Sequence, residues 1–210
     1  MVYSAQHIKA GQQHLRKTDP VMKALIRQVG PFTLRPMRDR FTMLVRSIVS
    51  QQISTAAANT ILKRLHEACA SPRFTPEQLV EFDLDQFRAL GVSRQKATYL
   101  LSLCETSLAG ELDLKTIGRC TDEEVIARLI QVKGIGRWTA EMFLIFSLGR
   151  LDIFPFDDLG IRAAIARQYQ LEEHPSKDVA AAISEPWTPY RTIACWYLWR
   201  SLELPTEDAQ

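Results

Sequence analysis

A short glycine-rich turn beside an apolar segment is the first candidate for chemistry. Residues 132–146 read VKGIGRWTAEMFLIF, with Gly134 and Gly136 two positions apart. Glycine has no side chain, so another backbone can approach it closely. A helix follows the turn, and the free N–H groups and dipole of a helix N-terminus attract anions. Lys133 adds a charge and Thr139 a hydroxyl, so the stretch suits phosphate binding; a plain helical joint is the alternative.

A pair of acids is the second candidate, in the stretch FPFDDLGIRAAI (154–165). Pro155 favours an extended chain, after which Asp157 and Asp158 open a helix. Taken alone, the pattern is typical of a helix cap, because Asp is a favoured N-cap residue. A carboxylate placed there can also stabilise a developing positive charge or orient water.

The elements that must position these residues are helical. Two capping boxes, Thr75 with Gln78 and Thr121 with Glu124, predict helix starts. No alternating run of β-branched residues between hairpin turns indicates a strand, so we predict an all-α fold. One apolar set recurs at the spacing of an amphipathic helix: Phe41, Leu44, Val45, Ile48 and Val49.

Around the glycine turn, the pattern predicts a helix–hairpin–helix over residues 121–148. The first helix is expected to end near Val132, and the second to start at Arg137 or Trp138. Hydrophobic residues flank the turn on both sides, which would anchor it rigidly in the core.

Composition limits the class of protein. The chain has 210 residues, 46% of them hydrophobic, and a net charge of +2, which permits a nucleic-acid partner without demanding one. The scattered cysteines form no metal or iron–sulfur spacing. No signal-peptide pattern opens the sequence, and its most apolar run, 142–148, is too short for a bilayer. We expect a soluble cytoplasmic protein with no cofactor and no metal held by side chains.

Taken together, the motifs resemble the helix–hairpin–helix DNA glycosylases, and most closely the DNA-3-methyladenine glycosylase II family. GIGRWTA (134–140) matches that family's hairpin, and PFDDLGI (155–161) its catalytic-aspartate segment. SIVSQQIS (47–54) is similar to its DNA-intercalating loop, and WTPYRTIACWYLW (187–199) to its closing helix. The resemblance covers residues 35–204 in the family's order.

The resemblance implies two helical lobes around a DNA-binding cleft. Residues 40–150 would form the central lobe, and residues 1–39 with 151–210 the lobe that carries the catalytic aspartate. Nothing before residue 30 would form the family prototype's N-terminal β domain, so the chain resembles a compact, wholly helical version.

The resemblance also assigns roles to particular residues. Asp158 would be catalytic, Asp157 would cap the helix or contact DNA, and Gln52 would be the intercalating wedge. Aromatic faces suit a cationic base, and Trp138 and Trp199 would line its pocket, whereas Trp187 and Trp196 are expected in the core. DNA would be held by Gln52, Lys133, Gly134, Gly136 and Thr139, and a monovalent cation by the backbone carbonyls of Ile130, Val132 and Ile135.

The expected activity is monofunctional excision of alkylated bases, of the 3-methyladenine and 7-methylguanine type, from double-stranded DNA. Trp138 stands where strand-cutting relatives carry a lysine, so no Schiff base is expected. Gln52 replaces an apolar wedge, and Met142 and Leu159 replace aromatic residues near the pocket.

We expect a monomer that does not associate with membranes. Two other classes stay open on the residues alone, a non-catalytic DNA-binding module and a structural helical adaptor.

Overall fold

The computed structural model describes residues 3–204, and within that range the fold is helical without strands. The all-α prediction is confirmed. No helix in this range is long and apolar enough to cross a membrane. The α-helices are α1 (Ala5–Thr18), α2 (Pro20–Val29), α3 (Arg40–Ser50), α4 (Thr55–Ala68), α5 (Pro76–Leu79), α6 (Leu84–Ala89), α7 (Arg94–Leu108), α8 (Asp122–Leu129), α9 (Arg137–Phe143), α10 (Leu159–Gln168), α11 (Lys177–Ser184) and α12 (Arg191–Ser201).

One compact unit runs from Met37 to Ser147 and contains α3 to α9. Both predicted capping boxes are present, at the starts of α5 and α8. The predicted amphipathic helix is α3, which contacts α4, α7 and α9. The apolar face of α3 is therefore enclosed by three helices. Its Leu44, Val45, Ile48 and Val49 are all completely buried.

The second compact unit combines residues 3–36 with residues 148–204. Its central element is α12, which contacts α1, α2 and α10. Because neighbours surround α12, every residue from 192 to 198 is buried. Trp187 and Trp196 both lie in this core, as the sequence predicts.

A buried carboxylate connects several elements of the second unit. Asp19, only 7% exposed, caps α2 by accepting from the backbone N–H groups of Val21 and Met22 through Oδ1. Its Oδ2 accepts from the Trp187 indole N–H at 2.7 Å and from the Tyr169 hydroxyl. Burial, and the Asp19 carboxylate, raise the pKa of Tyr169. The charge is thus compensated by four donors, as a buried ion requires.

Replacing Asp19 by Ala should lower the free energy of unfolding by roughly 3 kcal/mol or more, because a helix cap is lost and the buried Trp187 N–H and half-buried Tyr169 hydroxyl lose their acceptor. Urea denaturation followed by circular dichroism measures this. The matched control is Asp178→Ala, which removes an exposed acid from the first turn of α11. Equal losses in the two variants would contradict a special role for the buried carboxylate.

Candidate functional site

The predicted helix–hairpin–helix consists of α8, α9 and the turn between them. Helix α8 ends at Leu129, with Ile130 as its C-cap. This end lies three residues before the predicted one near Val132. Helix α9 begins at Arg137, as predicted. Arg137 bridges the start of α9 to the start of α8, with Nη2 lying 2.7 Å from an oxygen of Glu123. That contact lowers the pKa of Glu123.

The two glycines of the hairpin differ in what surrounds them. Gly134 has a φ of +87°, which side chains rarely adopt, and an added Cβ would lie 2.2 Å from the Tyr99 ring. Gly136 is the N-cap of α9 and has an ordinary backbone conformation, and a Cβ there would meet nothing within 4 Å. Gly134 is therefore required by the fold. Gly136 leaves open space at a helix N-terminus, where an anionic backbone can approach.

The other hairpin candidates also differ in exposure. Lys133 is exposed, so its charge is available to a phosphate. Trp138 is 39% exposed, an unusual position for so large an apolar ring. Thr139, by contrast, is only 3% exposed, so its hydroxyl lies largely away from solvent in this structure.

The candidate wedge, Gln52, lies in the turn between α3 and α4. It is exposed and has a φ of +55°, so the loop projects it in a conformation that few non-glycine residues adopt. Its neighbour Gln51 donates from Nε2 to the carbonyl of Gly134 at 3.0 Å. This bond ties the loop directly to the hairpin.

A lysine from α7 supports the same loop. Lys96 donates from Nζ to the carbonyl of Val49, in the last turn of α3, at 2.7 Å. Desolvation lowers the pKa of Lys96, yet the cation compensates a carbonyl near the negative end of the helix dipole. Sequence reasoning missed the supporting roles of Gln51 and Lys96, because hydrogen bonds between distant segments leave no periodic pattern.

Asp158, the candidate catalytic acid, is the N-cap of α10. Its Oδ1 accepts from the backbone N–H of Ile161 at 2.8 Å and from the indole N–H of Trp199 at 2.9 Å. The structure therefore joins two predicted site residues, and Trp199 has a contact that the sequence did not suggest. Asp157 is exposed, and the capping role considered for it is wrong because Asp158 occupies the cap.

Gly160 makes the approach of Trp199 to Asp158 possible. A Cβ at this position would lie 3.1 Å from Oδ1 of Asp158 and 3.3 Å from Cδ1 of the Trp199 ring. Both distances are tighter than ordinary contacts, so the glycine leaves room for the indole beside the helix start. The sequence places Gly160 two residues after Asp158, but only the tertiary structure shows that Trp199 packs beside both.

This arrangement holds a carboxylate in one direction before any substrate binds. The backbone N–H at the start of α10 and the indole N–H of Trp199 both donate to the same oxygen of Asp158, which fixes its orientation. A fixed anion of this kind stabilises positive charge that develops nearby without reorganising. No group of three His, Cys, Asp or Glu side chains suited to a metal occurs in residues 3–204.

A helix–hairpin–helix together with a carboxylate capping a later helix defines the class of helix–hairpin–helix DNA repair proteins. Residues 45–189 match the HhH-GPD superfamily of base excision DNA repair proteins, and the chain belongs to this family. DNA-3-methyladenine glycosylase 1 of Schizosaccharomyces pombe is 39% identical over 91% of this chain and 86% of its own length. The predicted family resemblance is confirmed.

Solved structures agree with this assignment. The Schizosaccharomyces pombe 3-methyladenine DNA glycosylase in complex with abasic DNA has a TM-score of 0.84 and 38% identity, covering 93% of this chain and 97% of that one. A DNA-3-methyladenine glycosidase from Bacillus halodurans has a TM-score of 0.81 and 34% identity, covering 91% and 88% respectively.

Substituting the two hairpin glycines separately tests whether the turn binds DNA. Gly136→Leu should keep the thermal midpoint within a few degrees but weaken binding to damaged and undamaged duplexes alike, because the new side chain fills the space left for a phosphate. Gly134→Leu should lower the midpoint strongly because its side chain would collide with Tyr99. Calorimetry and fluorescence anisotropy measure the two properties. Full DNA affinity in Gly136→Leu would make the hairpin a structural joint only.

Removing the indole N–H of Trp199 tests its hold on the carboxylate. Trp199→Phe keeps an aromatic ring but cannot donate to Asp158, so the single-turnover excision rate should fall by about tenfold, the effect of one hydrogen bond of ~1.4 kcal/mol. Trp196→Phe is the control, since that ring packs against Phe32 and Tyr197 in the core. Equal rates for Trp199→Phe and the unaltered protein would exclude this positioning role.

Proposed function

We propose that this protein is a monofunctional DNA glycosylase of base excision repair. It flips alkylated bases, of the 3-methyladenine and 7-methylguanine type, out of double-stranded DNA and hydrolyses the N-glycosidic bond. The observation that carries the proposal is the Asp158 carboxylate, oriented by the N-terminus of α10 and by Trp199. Relatives named as 3-methyladenine glycosylases support the substrate class.

The chemistry suits a single carboxylate. Alkylation at a ring nitrogen gives the base a positive charge, so the base leaves easily with the electrons of the bond to the sugar. Positive charge then develops on the sugar, and Asp158 stabilises it. Water adds its oxygen to the sugar carbon and loses a proton, which the carboxylate can accept. The products are the free base and an abasic site.

Strand cleavage is not part of the proposed reaction. A lyase step needs an amine that attacks the sugar carbon and forms a Schiff base. The position that the resemblance assigns to such an amine holds Trp138, whose indole cannot do this. The abasic strand therefore stays intact.

We assign the remaining candidates to DNA binding. The hairpin holds the phosphate backbone through Lys133, Gly134 and Gly136, while Gln52 fills the space left by the flipped base. Thr139 is buried, so we assign it an indirect role in DNA binding, in which it helps to position the N-terminus of α9. We assign contact with the cationic base to the Trp199 ring, which lies beside Asp158; the same role for Trp138 stays a prediction. The backbone carbonyls of Ile130, Val132 and Ile135 are hard oxygen ligands of the kind that a monovalent cation prefers. The protein would act as a monomer in the cytoplasm.

Excision assays on duplexes with single alkylated bases test the activity. Asp158→Asn should lose at least a hundredfold in single-turnover rate while keeping its affinity for duplex DNA, because the charge it stabilises exists only in the transition state. Asp157→Asn, which alters the neighbouring exposed acid, should retain most activity. Normal excision by Asp158→Asn would refute the assignment, and the opposite ranking would transfer the role to Asp157.

The same assay separates the remaining alternatives. Product strands should appear only after heat or alkali, and borohydride should trap no covalent adduct; a trapped adduct would refute the monofunctional reaction.

Gln52→Ala should slow excision most for stably paired lesions, which need the most help to stay flipped. A uniform effect over all lesions would remove the wedge role.

A further inference from the structure

A basic groove lies on the surface of the unit that contains the N-terminal helices. It is a cavity of about 790 Å³ bounded by α1, α2 and the segment that follows α2. Among residues 3–204, no acidic residue lines it. Five exposed cations do: Lys9, Arg16, Lys23, Arg27 and Arg35. We call this surface the basic groove.

The N-terminal segment that forms the groove has a higher net charge than the whole chain. Residues 1–36 contain six lysines and arginines and one acid, Asp19, which gives +5, whereas the whole chain carries +2. Asp19 is buried and already accepts four hydrogen bonds, so it does not neutralise the groove. None of the five lining cations forms an ion pair with a carboxylate among residues 3–204.

The groove also has apolar walls. Ile8, Ile26, Pro31 and Phe32 line it together with the cations. Ile26 and Phe32 are almost fully buried and lie at its base, while Ile8 is half-buried and Pro31 exposed. A ligand that fits must therefore offer negative charge at its edges and apolar surface towards the wall.

The groove is on a different face of α12 from the candidate catalytic acid. Tyr197 donates from its hydroxyl to the carbonyl of Gly30 and accepts from Gln12, both groove residues. Trp199 donates to Asp158. These two residues of α12 are two positions apart and so point about 200° apart around the helix. A ligand in the groove would not contact the acid.

We propose that the basic groove binds an acidic peptide segment of a partner protein, one that carries at least one large apolar side chain. Charge complementarity to five unpaired cations selects the acidic residues and steers association. The apolar wall selects the anchoring side chain. A DNA duplex satisfies only the first requirement, since phosphates offer nothing to a concave apolar wall. This inference does not depend on the glycosylase proposal.

A defined peptide probe tests the proposal on the full chain. The probe is a fluorescein-labelled peptide of about twelve residues in which Glu and Asp flank a Leu-Phe pair, and anisotropy measures its binding. Arg27→Glu should raise Kd at least tenfold. Lys17→Glu, an equal charge change on the exposed end of α1 outside the groove, should raise it less than about threefold, as expected for distant surface charges. Both variants should keep their circular dichroism spectrum and their excision rate.

Two further probes decide between classes of partner. Replacing the Leu-Phe pair by Ser should weaken binding at least tenfold, because the apolar wall loses its ligand. A single-stranded oligonucleotide of matched charge should bind more weakly than the peptide. The proposal is overturned by absent peptide binding, by equal sensitivity to Lys17→Glu, by no effect of the Ser replacement, or by stronger binding of the oligonucleotide in an Arg27-dependent manner.

Discussion

The hydrogen-bonded carboxylate of Asp158 is the interaction on which the candidate site depends. One oxygen accepts both the N–H of Ile161 at the start of α10 and the indole N–H of Trp199 at the end of α12. Asp158 is both the N-cap of α10 and the proposed catalytic acid, so the cap that starts the helix also orients the carboxylate. A carboxylate that is satisfied in this way needs no rearrangement when positive charge forms beside it. The close packing at Gly160 preserves that geometry.

The DNA-repair hairpin obtains its rigidity from a different set of contacts. Tyr99 packs where Gly134 would otherwise carry a side chain, and Gln51 donates to the Gly134 carbonyl. Lys96 holds the end of α3, from which the Gln52 loop departs. The hairpin and the loop are thus linked by a direct hydrogen bond. A displacement of either segment would strain this hydrogen bond, and each segment contains a residue with positive φ, Gln52 in the loop and Gly134 in the hairpin.

Charge is distributed unevenly over this chain. The near-neutral total conceals a strongly basic N-terminal segment and an acidic excess in the remainder. In the proposed DNA-binding role, the hairpin would use its backbone N–H groups and Lys133 rather than a broad basic surface. The basic groove beside α1 and α2 therefore needs an explanation of its own, because unpaired cations that surround an apolar wall are not required by the packing of the core.

The sequence alone was sufficient for the helical class, the capped helix starts, the hairpin and the family, because periodicity, capping boxes and glycine spacing are local properties. It also predicted Asp158 as the catalytic acid, and the structure shows this residue as the N-cap of α10; the catalytic role stays a prediction, because a cap and a catalytic acid look alike in the sequence. Tertiary structure was needed to decide that Trp199 donates to that acid, that Gly134 and not Gly136 is required by packing, and that Thr139 is buried. Gln51, Lys96 and the basic groove likewise appear only in the fold. Each of these depends on segments far apart in the chain, whose contacts arise from packing and leave no periodic trace in the residues themselves.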